Sequence, residues 1–379
     1  MTLPKNYCHE LQGGLWLEYD TKSSQWVSKP CCLFNKSFPI SNDIKKEFWL
    51  DPILQKERTD NLLGQELSHH CQVCKNVEKV GNYSRRQSWN DRLATDHWPN
   101  SSSVTLLDLH VDFSCNLACR ICSPKYSTLW RQVMPDKFQQ KFKVRSNTKT
   151  VFDLLNTIPL DNLQQLHIQG GEPLLSTTHL QILEKLQDIV DPAQLIIWYH
   201  SNATVRATDK VLKLWEKFKS IELHFSLDDM GARMEYQRWP MQWHETHENL
   251  MWYKNNLPHN TMLNVARAVG VLNAGWVTEL EHWHSEYFSH TKYGDKININ
   301  YHDCTQEYSL NALTHEYRDF ILNNLPTDHW VYSRIKNAPV DNKMAITQLL
   351  HHLNTHDVVR KQNWQTVYPE FLNWYKRYI

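Results

Sequence analysis

The sequence has no excess of either charge: 41 Lys and Arg stand against 41 Asp and Glu over 379 residues, and neither sign forms a long run. Broad electrostatic attraction to nucleic acid or anionic lipid is therefore disfavoured, although a local basic groove is still allowed. No segment has the apolar length needed to span a bilayer. The opening stretch, "MTLPKNYCHELQGG", lacks a basic region followed by an apolar one, so the expectation is a cytoplasmic protein without a secretory leader. There is no repeat of fixed period and no low-complexity linker. A chain of this length can bury a substantial core, so it needs no disulfide or metal merely to fold. It can hold one large domain or two to three smaller ones.

What the sequence does have is nine cysteines, unevenly placed: Cys8, Cys31, Cys32, Cys71 and Cys74, then Cys115, Cys119 and Cys122, then a lone Cys304. Clustered thiols in a reducing compartment point to metal or cluster ligation before disulfides. Sixteen Trp and 21 His are accounted for by an aromatic-rich core and a His-rich surface. Aromatics that stack on a substrate are the lesser reading.

From about residue 104 strands and helices alternate. "VTLLDLHVDF", "LQQLHIQ", "LIIWYH", "IELHFSL", "MLNVARAVGVL" and "KININYH" read as six strands. Between them lie helical patterns such as "HLQILEKLQDIV", "WHETHENLMWYKNN" and "WVTELEHWHSEYF". Six strand–helix units in a row imply an α/β fold with a parallel sheet and right-handed crossovers. Before residue 98, "GLWLEYDTKSSQWVSKPCC" reads as a hairpin, followed by a charged helix containing Phe48, Trp49, Leu50, Ile53 and Leu54. After residue 306, "MAITQLLHHLNTHDVVRK" and "PEFLNWYKRYI" read as helices. The expected division is 1–98, 99–305 and 306–379.

Cys115, Cys119 and Cys122 in "DFSCNLACRICSPKY" follow the first strand of the parallel series, and ligands collect at the carboxyl ends of such strands. Three thiolates fit an iron–sulfur cluster with one iron left open. They also fit a zinc site completed by a remote residue, Cys304 or a histidine. After the second strand come Gly170, Gly171, Glu172 and Pro173. Two glycines admit a ligand close to the backbone, and the carboxylate can accept hydrogen bonds from an ammonium group. An ordinary strand–helix turn would have a similar composition.

These two segments, "CNLACRIC" and "GGEP", resemble the radical S-adenosylmethionine (SAM) superfamily, and six strand–helix units match that family's partial (β/α)6 TIM-like barrel. The resemblance implies a [4Fe–4S] cluster on Cys115, Cys119 and Cys122, with SAM chelating the fourth iron. It assigns Gly170, Gly171 and Glu172, next to Pro173, to the methionine ammonium group. It makes Asn202 in "HSNAT", Ser226 and Asp228 in "FSLDD", and Arg238 in "EYQRWP" candidates for other parts of SAM or for substrate. "HSNAT" departs from the commoner Thr-Asn-Gly. Reductive cleavage of SAM would give a 5′-deoxyadenosyl radical that takes hydrogen from a substrate.

For the early cysteines, spacing alone leaves a closed zinc centre and a second cluster level. Cysteine, hairpin, "CC", helix and C-x-x-C is similar to the N-terminal twitch module of some radical SAM proteins. An "E…G…S-R…N" stretch (Glu78, Gly81, Ser84, Arg85, Asn90) and the terminal "HDVVRKQNW…YPEFL" add to that likeness. The resemblance implies an auxiliary [4Fe–4S] cluster on Cys8, Cys32, Cys71 and Cys74, with Cys31 able to replace Cys32. His69 and His70 read as surface residues. Cys304 reads as an inert buried thiol before a substrate-facing hydrogen donor. The expected partners are a small-molecule or peptide substrate and an electron donor such as flavodoxin or ferredoxin, with neither membrane nor nucleic acid. The competing functions are an iron–sulfur electron carrier that never cleaves SAM, and a zinc-stabilised binding module.

Overall fold

A computed structural model describes residues 3–20, 23, 25–41, 43–79, 81, 83–92, 103–110, 112–134 and 148–379. The boundary expected near residue 98, and most of the polar stretch "KFKVRSNTKT", lie outside the described residues. Contacts divide the chain into two compact units, Met1–Asp112 with Lys141–Tyr199 and Lys213–Ile221, and Phe113–Gln140 with His200–Leu212 and Glu222–Ile379.

In the first unit the strands run in the order β3 (Phe38–Ile40), β2 (Gln25–Lys29), β1 (Gly14–Asp20), β4 (Leu106–His110), β5 (Gln165–Gln169) and β6 (Ile196–Ser201). The expected hairpin is present as antiparallel β1 and β2. A third strand, β3, was not legible because Phe38–Pro39–Ile40 is too short to show a period. β1 also continues the sheet, pairing in parallel with β4 in the register Gly14↔Leu106 to Glu18↔His110. β4, β5 and β6 are parallel neighbours.

Alternation along these strands sends Leu107, Leu109, Leu166, Ile168, Ile197 and Tyr199 to one face, where all are buried. The other face carries Asp108, His110, Gln165, His167, Gln169 and Trp198. Asp108 and His167 are only 4% exposed although polar. Burial on both faces is the ordinary state of a parallel sheet.

The helix Thr177–Leu186 is started by Ser176, whose hydroxyl accepts from the His179 N–H, and it buries Ile182, Leu183 and Leu186. It stops at Leu186, a turn short of the apolar pattern through Val190, ahead of Asp191 and Pro192. The charged stretch near residue 50 is two pieces, a π-helical turn Lys45–Trp49 and α2 (Pro52–Leu62), with Asp51 capping the second.

The second unit holds β7 (Ser220–Ser226, most of it), β8 (Thr261–Val269) and β9 (Asn298–Asp303), in that order. β8 and β9 are parallel, Asn264↔Asn298 to Val269↔Asp303. The six expected strands are therefore all present. The long helix Lys343–Arg360 is capped by Asn342 and ends where Lys361 turns left-handed at φ 53°. Ile346, Leu349, Leu350 and Leu353 pack it into an aromatic core with Tyr317, Trp364 and Phe371. "PEFLNWYKRYI" is helical only over Phe371–Trp374. No helix among the described residues is long and apolar enough to cross a membrane.

Candidate functional site

Cys115, Cys119 and Cys122 lie on an irregular segment in the second unit, between β4 and α5 (Thr128–Val133), and local bonds fix its path. The Thr128 N–H donates to the Phe113 carbonyl at 3.0 Å, and the Cys115 N–H donates to Thr128 Oγ1 at 3.0 Å. Ser127 caps α5 by accepting from the Trp130 N–H, and its hydroxyl donates to the Leu117 carbonyl at 2.6 Å. Trp130 Nε1 donates to the Cys119 carbonyl at 2.8 Å.

The segment is also bonded along its edge. The Ala118 N–H donates to the Trp239 carbonyl at 2.7 Å and the Arg120 N–H to the Gln237 carbonyl at 2.8 Å, so "EYQRWP" runs beside the cysteines. Two arginines attach the loop to the helix Lys343–Arg360. Arg120 pairs with Asp357, donates to the Tyr236 carbonyl at 3.0 Å and lies 3.5 Å over the Tyr236 ring. Arg360 donates to the Ala118 carbonyl at 2.6 Å and lies over Trp130. Neither Arg120 nor Arg360 stood out in the sequence. A buried arginine reads there as any other charge, and Asp357 and the Ala118 carbonyl lie 237 and 242 residues from the arginines they hold.

Two of the residues singled out, Asn202 and Arg238, meet this loop, and a third, Asp228, is held by Arg238. Asn202 Nδ2 lies 4.0 Å from Cys115 Sγ and donates to Asn116 Oδ1 at 3.1 Å. Arg238 Nη1 lies 4.0 Å from Cys119 Sγ, while its Nε donates to Asp228 Oδ2 at 2.8 Å. Burial pushes the Cys119 thiol up and Arg238 pulls it partly back. Burial, then Cys119, pushes Cys122 up to about 12. Ser226 ends β7 half-buried, with no bond to the loop. Cys304 follows β9 and lies against Gly270, where the Tyr308 carbonyl packs too closely for a Cβ. Burial, then Asp228, raises its thiol to about 12.

Arg238 and Asp228 are both buried, so removing one partner leaves the other charge without compensation. Arg238→Met is expected to cost about 3–5 kcal/mol of stability, read by urea denaturation of the full chain. A loss under about 1 kcal/mol, the range of a surface pair, would show that this pair does not fix the segment.

In the first unit, Gly170 (φ 92°) and Gly171 (φ 48°) take left-handed backbone that glycine adopts without strain. Glu172 is 1% exposed. Its carboxylate accepts from the Leu174 N–H at 3.2 Å, and Pro173 begins the short turn it caps.

The early cysteines converge in that same unit. Cys8, Cys31, Cys71 and Cys74 line one cavity together with Glu10, Arg86, Phe34 and Leu67. Cys31 stands where Cys32 was favoured, and Cys32 is exposed outside the lining. Cys8 immediately precedes α1 (His9–Gly13), with no side-chain capping bond to it. Cys71 closes a 3-10 turn and Cys74 sits in α3 (Gln72–Lys79), three residues apart and so on one helical face. Burial raises all four thiols, and for Cys8, Cys31 and Cys71 neighbouring carboxylates and thiols add to it. No three Cys, His, Asp or Glu side chains among the described residues are gathered as ligands of one metal ion.

The "E…G…S-R…N" residues hold this cavity together. Gly81 turns the chain between α3 and α4 (Arg85–Arg92) at φ 77°. Glu78 accepts from Arg86 at 2.7 Å, and Arg86 donates to the Tyr7 carbonyl at 2.6 Å. Arg85 pairs with Glu10 at 2.7 Å. Asn90 accepts from the His9 N–H at 2.9 Å. His69 is exposed, and His70 stacks on Phe34 outside the cavity.

No family model and no curated protein matches the chain. Among solved structures it is similar to native anSMEcpe with bound AdoMet, 18% identical over 62% of each chain with a TM-score of 0.40. The chain thus spans 62% of the length of that protein. It is also similar to Streptococcus suis SuiB bound to S-adenosylmethionine, 12% identical over 88% of this chain and 73% of that one, TM-score 0.38. Against SuiB bound to precursor peptide SuiA the values are 10%, 91%, 74% and 0.37. Likenesses this remote leave the cysteine-bearing segments as the ground for a functional reading.

Proposed function

We propose that this chain is a radical SAM enzyme with a partial (β/α)6 barrel, carrying one [4Fe–4S] cluster on Cys115, Cys119 and Cys122 and a second on Cys8, Cys31, Cys71 and Cys74. The observation that carries it is the three-thiol loop, bonded along its length and meeting Asn202 and Arg238 at two of its sulfurs. The donor set fits: three cysteine sulfurs on one iron–sulfur cluster would leave one iron open for a cosubstrate. An arginine beside Cys119 offsets the negative charge that thiolates bring.

A cluster so held would supply one electron to the sulfonium of SAM, giving a 5′-deoxyadenosyl radical able to remove hydrogen from a substrate C–H bond. The protein's part is to bind and to enclose. Gly170 and Gly171 let the methionine end approach the backbone, and Glu172 accepts hydrogen bonds from its ammonium group. Asn202, Ser226, Asp228 and Arg238 supply polar contacts for the rest of the molecule. In the four-cysteine cavity, thiols spread round a volume suit a multi-iron cluster better than a single zinc ion, whose ligands close on one point. Full ligation there suits electron transfer. The substrate is a small molecule or a peptide, and the reductant is of flavodoxin or ferredoxin type.

The test is SAM binding and 5′-deoxyadenosine release by anaerobically reconstituted, dithionite-reduced protein. Loss of a charge-assisted hydrogen bond predicts that Glu172→Gln weakens SAM binding about ten- to a hundredfold with iron content unchanged. Iron-loaded parent protein that binds no SAM would overturn the assignment in favour of an electron carrier.

A further inference from the structure

In the first unit a recess of about 290 Å³ lies between the π-helical turn Lys45–Trp49 and α2, and it shares no lining residue with the four-cysteine cavity. Its lining is apolar at Trp49, Leu50 and Leu62 and cationic at Lys45 and Arg58. Leu50 and Leu62 are exposed, at 52% and 38%, whereas Arg58 is 2% exposed and belongs to the buried part of the lining.

Arg58 is a buried cation without an anion. A guanidinium has five N–H donors and no acceptor. Nε donates to the Leu11 carbonyl at 3.0 Å and Nη1 to the Trp49 carbonyl at 3.3 Å. The Phe48 and Trp49 ring centres lie 5.4 Å and 4.4 Å from it. Those contacts tie α2 to its neighbours, yet Nη2 is buried with no hydrogen-bond partner among the described residues. Trp49 Nε1, on the same lining, is likewise buried and unmatched. Burial lowers the guanidinium to about 9, so it is still ionised at neutral pH.

The acids of these two elements are engaged elsewhere. Glu47 accepts from the Ser41 and Asp43 N–H groups, and Asp51 from those of Ile53 and Leu54. Asp60 pairs with Lys56, and Glu57 bears on Lys56, Cys71 and His70. A buried charge is ordinarily paired. Here the pairing group has to come from outside these elements, and the recess that Arg58 lines gives it room. An apolar cavity of about 150 Å³ takes one benzene ring, so the volume admits a ring with a short acidic arm. A bare inorganic anion would leave the apolar walls unused, and a neutral hydrocarbon would leave Arg58 unmatched.

We propose that this recess binds a small organic acid, its carboxylate held by Arg58 and Lys45 and its apolar body lying on Trp49, Leu50 and Leu62. A pocket that is mostly apolar, with a few polar groups to fix orientation, is the usual form of a small-molecule site. The inference goes beyond the SAM chemistry and does not depend on either cluster.

The probe is phenylacetate, followed by ligand-observed NMR titration of the full-length protein. Phenylacetamide offers the ring without the charge, and sulfate the charge without the ring. Phenylacetate should bind about ten- to a hundredfold more tightly than phenylacetamide, the weight of a charge-assisted hydrogen bond, and sulfate should compete only weakly. Arg58→Gln should bring phenylacetate down to the affinity of the amide. Because Arg58 also ties α2 to α1, two exposed positions are tested beside it. Lys45→Glu, which reverses the charge at the rim, should weaken binding several-fold, and Leu62→Trp, which fills the recess, should abolish it. Both should keep the parent's thermal midpoint, so they decide even where Arg58→Gln does not fold. Equal affinity for acid and amide overturns the proposal, as does no binding of phenylacetate at millimolar concentration. Phenylacetate binding that Lys45→Glu and Leu62→Trp leave unchanged also overturns it, since the acid would then sit elsewhere. Sulfate as tight as phenylacetate would leave an inorganic anion site and remove the organic ligand. The readout is binding alone, so failure here leaves the SAM reading standing.

Discussion

Cys31→Ser is expected to remove the second cluster, whereas Cys32→Ser leaves it in place, although the two residues are neighbours and both are thiols. Cys31 lines the cavity with Cys8, Cys71 and Cys74, and Cys32 is exposed outside it. Iron in anaerobically reconstituted protein should fall from roughly eight atoms per chain to roughly four in the first variant and stay near eight in the second, each cluster holding four. The protein is also expected to be brown. Stoichiometric zinc in a colourless parent would replace the cluster reading with a structural zinc centre. Iron lost only in Cys32→Ser would mean that the chain near residue 31 rearranges on loading.

Changing Cys115, Cys119 and Cys122 together to Ala should abolish 5′-deoxyadenosine formation and remove roughly four irons, leaving the other four. The loop is held by contacts that do not involve its thiols: the edge bonds to Gln237 and Trp239, the Ser127 cap, and Arg120 and Arg360 against the C-terminal helix. The variant should therefore stay folded, with its thermal midpoint near that of the unloaded parent. 5′-Deoxyadenosine from the triple variant at the parent's rate would remove the loop from the chemistry. Global unfolding would show that the thiols carry the loop's stability after all.

The order of the six parallel-series strands and the location of the three-cysteine loop were legible because both are written locally. Alternating or continuous apolar runs mark the strands, and spacing marks the cysteines. The choice between Cys31 and Cys32 was not legible, since adjacent residues at a strand end can each face either way, and the path after β2 decides which thiol turns inward. Glu78, Arg85 and Asn90 could be matched as a pattern but not explained, and Arg86 was not noticed, until α4 was seen tied to the segment bearing Cys8. Asp108 and His167 passed unremarked within strands that otherwise read as apolar. Their pairing depends on the register of β4 against β5, which no local pattern records. The attachment of the loop by Arg120, Arg360 and Asp357 depends on contacts across most of the chain.

The parallel pairing of β1 with β4 bears on how such a chain could be rebuilt or could have arisen. The first hundred residues resemble a portable cassette, yet their first strand shares a ladder of five residue pairs with the strand that leads to the three-cysteine loop. Excision would strip β4 of a neighbour and bare its hydrogen-bonding edge, an invitation to aggregation. A foreign module spliced in its place would have to supply a strand in the same register, because a slip of one residue turns every side chain of that strand to the opposite face. Exchange between relatives is thus restricted to modules that bring their own matching edge.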